Sequence, residues 1–455
     1  MTEETICALS TPLLQAPIAV IRVSGPESLN ILHRVFSRPG ALVPRYSVYG
    51  SIISGEKIID DVVAVYYESP KSFTGEEMAE ICCHGNPIIV KRILELLISC
   101  GARHAEPGEF SKRAFLNGKI DLTGAEAINH IISARSEWEI EASLKQMHGS
   151  LREKIHDVRN SLLHLKADIE CRIDFADEDE EFAPESGAAA AIDAIQELLS
   201  DIMGRCRVGE RLSHGIDVPI VGKPNVGKSS ILNCILNSER AIVSDIPGTT
   251  RDLIKETIQF AGIHVNLFDT AGIDVPGCEI EKRGIEMSRE KILSSPVIIM
   301  VIDAVKGISG PDREILSSVP EKETICLANK IDLVPEVEKA ERLKSLAGET
   351  GYPLIPFSAK TGSGLKELEK ELSLRLQSEF LEYRNFFISD MRVIGLLEES
   401  ITACERVKSL MCGGEPPEII AFVVQELIDT IMEITGEISP DDVLNSIFSR
   451  FCIGK

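Results

Sequence analysis

Apolar and polar positions alternate differently in three stretches of the chain. Between residues 215 and 375, short apolar runs end in polar loops. Val218–Val221 leads into a glycine-bearing loop, and Ser230–Asn237 follows with apolar residues at helical spacing. His264–Phe268 ends at Asp269, Thr324–Asn329 ends at Lys330, and Tyr352–Phe357 ends at Ser358. Strand, loop and helix in that order predict an α/β domain. Pro219 falls inside the first run, where it removes a ladder hydrogen bond, and we retain the strand. On either side the period is that of a helix. Leu151–Ile173, Ala188–Met203 and Leu381–Ile434 carry apolar residues three and four apart, the last broken at Gly413–Pro417. Pro440, Asp441 and Asp442 fit a helix start, with acid at the positive end of the dipole. Near the N-terminus, Ala19–Ser24, Tyr46–Ile53 and Asp61–Tyr67 read as strands, and Glu27–Val35 and Pro87–Leu97 as helices. The expected layout is an α+β domain over 1–119, a discontinuous α-helical domain over 120–212 and 377–455, and an inserted α/β domain over 213–376.

The apolar runs carry chemistry at their ends. Gly222–Ser229 is a complete phosphate-binding loop, G-x-x-x-x-G-K-S. Its backbone N–H groups, from Asn225, Val226 and Gly227 through Ser230, can curl around phosphates. Lys228 reaches the β/γ-phosphates, and the Ser229 hydroxyl can ligate Mg²⁺. Asp269-Thr270-Ala271-Gly272 adds an acid that can hold Mg²⁺ through water and a glycine N–H for the γ-phosphate. In Asn329-Lys330-Ile331-Asp332 the carboxylate of Asp332 can accept from the guanine ring N1–H and exocyclic amine. Ser358-Ala359-Lys360 fits a loop closing over the base. Each tetrapeptide alone is weak; four in order make this a P-loop G domain whose nucleotide is GTP. Between the first two motifs, Ser244, Asp245, Ile246, Pro247, Gly248, Thr249, Thr250 and Arg251 form a switch loop. Thr250 there can complete the Mg²⁺ shell.

The remaining composition narrows the field. A chain of 455 residues implies two to four domains. No apolar stretch approaches about 18 residues, so no membrane span is expected. The segment Met1–Ser10 lacks a basic region followed by an apolar core, so a cytoplasmic protein without a secretory leader is expected. The 12 cysteines contain no C-x-x-C pair, which favours free thiols over a metal or disulfide framework. A net charge of −23 argues against nucleic-acid binding over the whole surface. The first 120 residues are nearly neutral, while Asp174–Glu181 is concentrated acid, so an RNA partner needs a local basic patch or a second protein.

The loop GKPNVGKSS with SDIPGTTRD and DTAGI resembles the GTPases activated by dimerisation and K⁺. That resemblance implies K⁺ ligands at Asn225, Ser244, Ile246 and Thr249, with the ion taking the place of an arginine finger's charge. Hard oxygen ligands suit such an ion, and transition-state charge needs a positive neighbour. No glutamine follows the DTAG motif; Ile273 and Asp274 do. By resemblance Glu281 positions the attacking water, alongside Lys228 and Asn225 as catalytic residues.

Three stretches outside this domain extend the likeness. Ser72–Gly85, Ala105–Leu122 and Glu437–Lys455, the last ending in Phe-Cys-Ile-Gly-Lys, resemble the tRNA-modification GTPase family MnmE, also called TrmE. The resemblance spans essentially the whole chain. It implies an N-terminal domain like folate-binding domains, which binds 5-formyl- or 5,10-methylene-tetrahydrofolate and forms a homodimer. It implies a flavoprotein partner, MnmG (GidA), in a heterotetramer, and a tRNA substrate. The product is an aminomethyl or carboxymethylaminomethyl group at C5 of the wobble uridine, its carbon drawn from methylene-tetrahydrofolate. Folate contacts map to Arg22, Glu80, Lys119 and Lys455. A carboxylate such as Glu80 suits a pterin's donor edge, and cations suit folate's glutamate tail. Cys452 and Arg251 are further candidates; no histidine neighbours Cys452 in sequence, which favours a site-shaping role over covalent catalysis.

Two stretches depart from the family pattern. Residues Thr11–Pro17 lack the usual glycines, and Ser389–Val393 keeps only Arg392 of an Asn-x-Arg-His-like tetrad. Two other classes compete. A regulatory G-protein switch is supported by the G domain alone, and the folate-type motifs weigh against it. A ribosome-associated GTPase is weakened by the absence of a basic tail.

Overall fold

The computed structural model describes residues 4–37, 42–134, 136–174, 185–236, 255–260, 263–269, 295–318, 324–381, 387–388, 390–438 and 440–454. It divides into two compact units. One comprises 1–132, 143–203 and 389–455; the other comprises 133–142 and 204–388.

The first unit begins with a seven-stranded sheet. Its strands are β1 (Ile6–Leu9), β2 (Ala16–Ser24), β3 (Phe36–Ser37), β4 (Ser47–Ser54), β5 (Lys57–Tyr67), β6 (Met78–Gly85) and β7 (Arg103–His104). They lie in the order β3-β4-β5-β6-β2-β1-β7, antiparallel except for β1 with β7. Alternation assigns the two faces. Ile21, Val23, Ala79, Ile81 and Cys83 are buried against helices α1 (Ser28–Val35) and α2 (Pro87–Ser99). Each such aliphatic side chain contributes roughly 1.5–3 kcal/mol on burial. The intervening positions Arg22, Glu80 and Cys82 lie on the other face, half-buried. Helix α2 starts where Asn86 caps the Ile88 N–H at 2.9 Å and Pro87 occupies the first turn. Helix α3 (Glu109–Leu116) completes the α+β part.

The helical part of this unit contains α4 (Leu122–Ser133), α6 (Ser150–Asp174), α12 (Met391–Cys412), α13 (Pro417–Thr435) and α14 (Asp441–Phe448). Helices α5 (Glu137–Met147) and α7 (Glu185–His214) run across the division into units. Leu151, Ile155, Val158, Leu162, Leu165 and Ile169 form the buried stripe of α6, which packs against α13. The expected break at Gly413–Pro417 separates α12 from α13. Gly414 takes φ +67° and Pro417 opens the next helix.

The second unit is built on a six-stranded sheet ordered β13-β12-β11-β8-β10-β9. Its strands are β8 (Ile216–Val221), β9 (Lys255–Phe260), β10 (Ile263–Asp269), β11 (Ile298–Asp303), β12 (Thr324–Asn329) and β13 (Leu354–Pro356), with β9 alone antiparallel to its neighbour. Helices α8 (Lys228–Leu236), α9 (Gly310–Ser318), α10 (Lys339–Thr350) and α11 (Leu365–Leu381) belong to it. The central parallel strands β11 and β12 are buried at every position. Pro219 stays in β8, opposite Phe268 of β10. Pairing to β11 covers only Ile220 and Val221, so the ladder on that side is short where the proline stands. Among the described residues, no helix is long and apolar enough to cross a membrane, and no group of three or more His, Cys, Asp or Glu could hold a metal ion.

Candidate functional site

The phosphate loop links β8 to α8, and its shape is set by positive φ angles. Gly222 has φ +150°, Asn225 +63° and Gly227 +103°. A Cβ at Gly222 would lie 2.6 Å from the Val301 carbonyl oxygen, and one at Gly227 would lie 2.4 Å from Asn329 Nδ2. Both positions therefore demand glycine. Lys228, the first residue of α8, is buried, and its Nζ donates to the Gly222 carbonyl at 2.6 Å. Ser229 and Ser230 are exposed in the first turn of α8, where backbone N–H groups and the helix dipole favour an anion. This cradle fits a phosphate chain.

The residues expected to read guanine follow the ends of β12 and β13. Asn329 Nδ2 donates to the Val226 carbonyl at 2.8 Å, and its Oδ1 accepts from the Ala359 N–H at 3.1 Å. One buried amide thus ties the phosphate loop to the loop after β13. Ser358 Oγ donates to Asp332 Oδ1 at 2.6 Å, which orients the exposed Asp332 carboxylate. Lys330 sits at φ +66° and its Nζ donates to the Asn225 carbonyl at 2.9 Å and to Asp303 Oδ2 at 2.8 Å. Lys360 is exposed. Asp269 ends β10, in register with Ile220.

Three residues of this site escape motif reading. Asp303 is buried at the end of β11. Burial alone would raise its pKa, but the Lys330 hydrogen bond and the backbone amides of Lys306 and Val305 hold it below the ordinary value. An acid closing an apolar run, as Asp269 does, was the available signal. Lys223 leaves the phosphate loop to meet the fully buried Asp312 at 2.7 Å. Asp312 also accepts from Ser309 N and Oγ, so it fixes the start of α9 as well. Nothing in the local sequence links positions 223 and 312.

The first unit carries a separate polar cluster. In the sheet register Arg22 lies opposite Glu80, and their side chains pair at 2.8 Å. Tyr67 Oη donates to the other Glu80 oxygen at 3.1 Å. Desolvation first, then the Glu80 charge, raise the Tyr67 pKa and keep it a donor. Phe73 packs on Arg22 with 5.3 Å from guanidinium carbon to ring centroid. Phe73 belongs to the loop that also receives Lys119, whose Nζ donates to the Pro70 carbonyl at 3.0 Å. Register and loop therefore bring Arg22, Glu80 and Lys119 to one region, with Tyr67 and Phe73 as neighbours that the motifs did not indicate. Both are aromatic residues that precede Glu80 in sequence, a weak signal.

The C-terminal segment docks on the same sheet. The Gly454 carbonyl accepts from Ser10 Oγ at 3.0 Å, and a Cβ there would lie 2.1 Å from the Leu9 carbonyl oxygen. The Cys452 carbonyl accepts from the Gly108 N–H at 3.3 Å, while the Cys452 side chain is exposed. Phe451 and Phe448 pack with Leu122 and Ala125. The described cysteines are all free. Ser244, Asp245, Ile246, Pro247, Gly248, Thr249, Thr250, Arg251, Thr270, Ala271, Gly272, Asp274, Glu281 and Lys455 lie outside the described residues.

Comparison with known proteins supplies two family matches and many full-length relatives. Residues 5–119 match the GTP-binding protein TrmE N-terminus, and residues 122–452 match the MnmE helical domain. The tRNA modification GTPase MnmE of Aquifex aeolicus is 41% identical over 455 residues, covering 99% of this chain and 100% of that one. The protein of the same name from Thermotoga maritima is 38% identical over 453 residues, covering 99% and 100%. Among solved structures, the G domain of the Thermotoga maritima FeoB iron transporter covers 36% of this chain and 99% of its own. Its identity is 26% and its TM-score 0.26, too low to carry an argument.

Proposed function

Because the chain belongs to the MnmE family of tRNA modification GTPases, we propose that it couples GTP hydrolysis to building a C5 substituent on the wobble uridine of certain tRNAs. Its enzymatic identity is that of a GTP hydrolase acting in tRNA modification. The finer reading has four parts. The N-terminal region 1–119 binds a reduced folate and forms the homodimer. The helical parts 120–212 and 377–455 carry the C-terminal segment to it, and the G domain 213–376 is inserted between them. A flavoprotein partner, MnmG, completes a heterotetramer that receives the tRNA.

At the nucleotide, the backbone of residues 222–229 and the Lys228 ammonium bind and orient the phosphates, and Asp332 selects guanine. Ser229 and Thr250 would hold Mg²⁺; Asn225, Ser244, Ile246 and Thr249 would hold K⁺. The two cations supply positive charge against the phosphate oxygens. Glu281 holds the attacking water, so Glu281→Ala is expected to lower kcat with little change in GTP affinity. Glu80 would pair the donor edge of a bound pterin, and Arg22, Lys119 and Lys455 would supply positive charge suited to folate's carboxylates. The folate supplies the transferred carbon.

The observation that carries this reading is the seating of the Phe451–Gly454 segment on the sheet that bears Arg22 and Glu80. Mass spectrometry of wobble nucleosides in cells lacking this chain tests it. Loss of the C5-substituted uridine, restored by the intact gene, is expected; an unchanged nucleoside profile would refute the reading.

A further inference from the structure

Arg392 alone keeps the family pattern in residues 389–393, and neither the nucleotide nor the folate reading uses it. It is the second residue of α12, with a largely buried guanidinium. Its Nε donates to Glu126 Oε1 at 3.0 Å, and Nη2 lies 2.9 Å from the same oxygen. Its Nη1 donates to the Glu433 carbonyl at 3.0 Å and Nη2 to the Ile434 carbonyl at 3.2 Å. Those carbonyls belong to the last turn of α13, where the i+4 donors run out; the Glu433 carbonyl also accepts from the Gly436 N–H at 3.2 Å. One guanidinium therefore caps α13 and ties it to α4.

The chain beyond that cap leads directly to the C-terminal segment. Gly436 turns at φ +82°, where a Cβ would lie 2.8 Å from the Phe115 ring and 2.9 Å from Leu122. Glu437 meets His156 at 3.0 Å. Helix α14 follows, and Phe448 and Phe451 close on Leu122 and Ala125, the latter the immediate neighbour of Glu126. Gly454 then reaches Ser10. Glu126 is buried, and its second oxygen, Oε2, has no hydrogen-bond partner among the described residues. A buried carboxyl left half-satisfied is costly, which is unusual for a group whose only task is stability. His130 and Asp390, 3.4 Å apart, are its other charged neighbours.

We propose that Arg392 is a positioning residue for the C-terminal Phe451–Gly454 segment, acting through the end of α13, with Glu126 as its buried hydrogen-bond partner. The proposal rests on the reading that this segment belongs to the modification site. Arg392 holds the α13 terminus in register with α4, and the short path through Gly436 and α14 transmits that register to Gly454. Lysine, a single point donor, cannot span Glu126 and two carbonyls at once.

Hydrogen exchange followed by mass spectrometry on the full chain tests it. Arg392→Met leaves Glu126 buried without its partner and risks unfolding. The double variant Arg392→Met with Glu126→Leu removes both polar partners and still lacks the guanidinium at the α13 terminus. In the double variant, amides of residues 437–454 are expected to exchange about tenfold faster or more, while α6 keeps its protection. Wobble-uridine modification is expected to fall with GTP affinity retained, and Arg392→Lys is expected to fall between. Wild-type protection of residues 437–454 in the double variant overturns the proposal, as does a loss of protection spread equally over α6 and α13. Deleting residues 451–455 separates the two ideas. If modification survives that deletion, the reading of the segment fails, while the exchange result still decides the role of Arg392.

Discussion

The phosphate loop and the Arg22–Glu80 face, each read as the seat of a charged ligand, are built by opposite means. The loop is contiguous, from Gly222 to Ser229, and backbone dihedrals set its form. The face is assembled from strands β2 and β6, the loop that carries Phe73, and a segment that arrives from the far end of the chain. In the first, a local code suffices, because the steric demand for glycine is written at fixed spacing. In the second, no spacing carries the site, because strand register and long-range docking create it.

The contrast is sharpest at Gly227. A methyl there would meet Asn329 Nδ2 at 2.4 Å on a backbone at φ +103°. Gly227→Ala is expected to weaken GDP binding by about a hundredfold or more, measured by calorimetry; wild-type affinity would mean the loop is less constrained than described. The next effect is ionic. Hydrolysis is expected to run at least about tenfold faster in K⁺ than in Na⁺ at matched ionic strength, since one transition-state cation is worth several powers of ten in related chemistry. Equal rates would remove Asn225 and the Ser244–Thr249 loop from the catalytic account.

Asn329→Ala tests how far the local code depends on a distant partner. It strips the Val226 carbonyl and the Ala359 amide of their partner in one step. A loss of about 1–3 kcal/mol in guanine-nucleotide binding is expected. An undiminished affinity would show that the phosphate loop holds its shape unaided.

A smaller effect belongs to the first unit. Burial outweighs the pull of Arg392 and pushes the Glu126 carboxyl up to about 7. The folded chain then keeps a proton that the unfolded chain releases, so this group's contribution to stability is full below pH 4.5 and is lost as pH rises through about 7. Unfolding free energies from urea titrations at pH 5 and pH 8 are expected to differ by at least about 1 kcal/mol from this group. Glu126→Gln is expected to flatten that difference; an unchanged pH dependence would mean that Glu126 is ionised throughout.

Legibility follows the same division. The strand at 218–221 and the helix at 151–173 are visible because apolar periodicity survives in them, and the structure extends each by two residues. The helix start at Pro440 and the break at Gly413–Pro417 follow from backbone chemistry and stand as read. Tyr67, Phe73 and the Lys223–Asp312 pair were not legible, because each depends on a neighbour distant in sequence or hidden by the fold. Arg22 and Glu80 could be singled out only by resemblance; in isolation each is an ordinary charge on a strand.

The central claim is that nucleotide chemistry and modification chemistry occupy separate parts of the chain and that the C-terminal segment belongs to the second. Deleting residues 451–455 tests it directly when 5-formyl-tetrahydrofolate affinity and K⁺-stimulated GTP hydrolysis are measured on the same preparation. The account predicts roughly tenfold weaker folate binding or worse, with hydrolysis within about twofold of the intact protein. Loss of hydrolysis together with folate binding would contradict it.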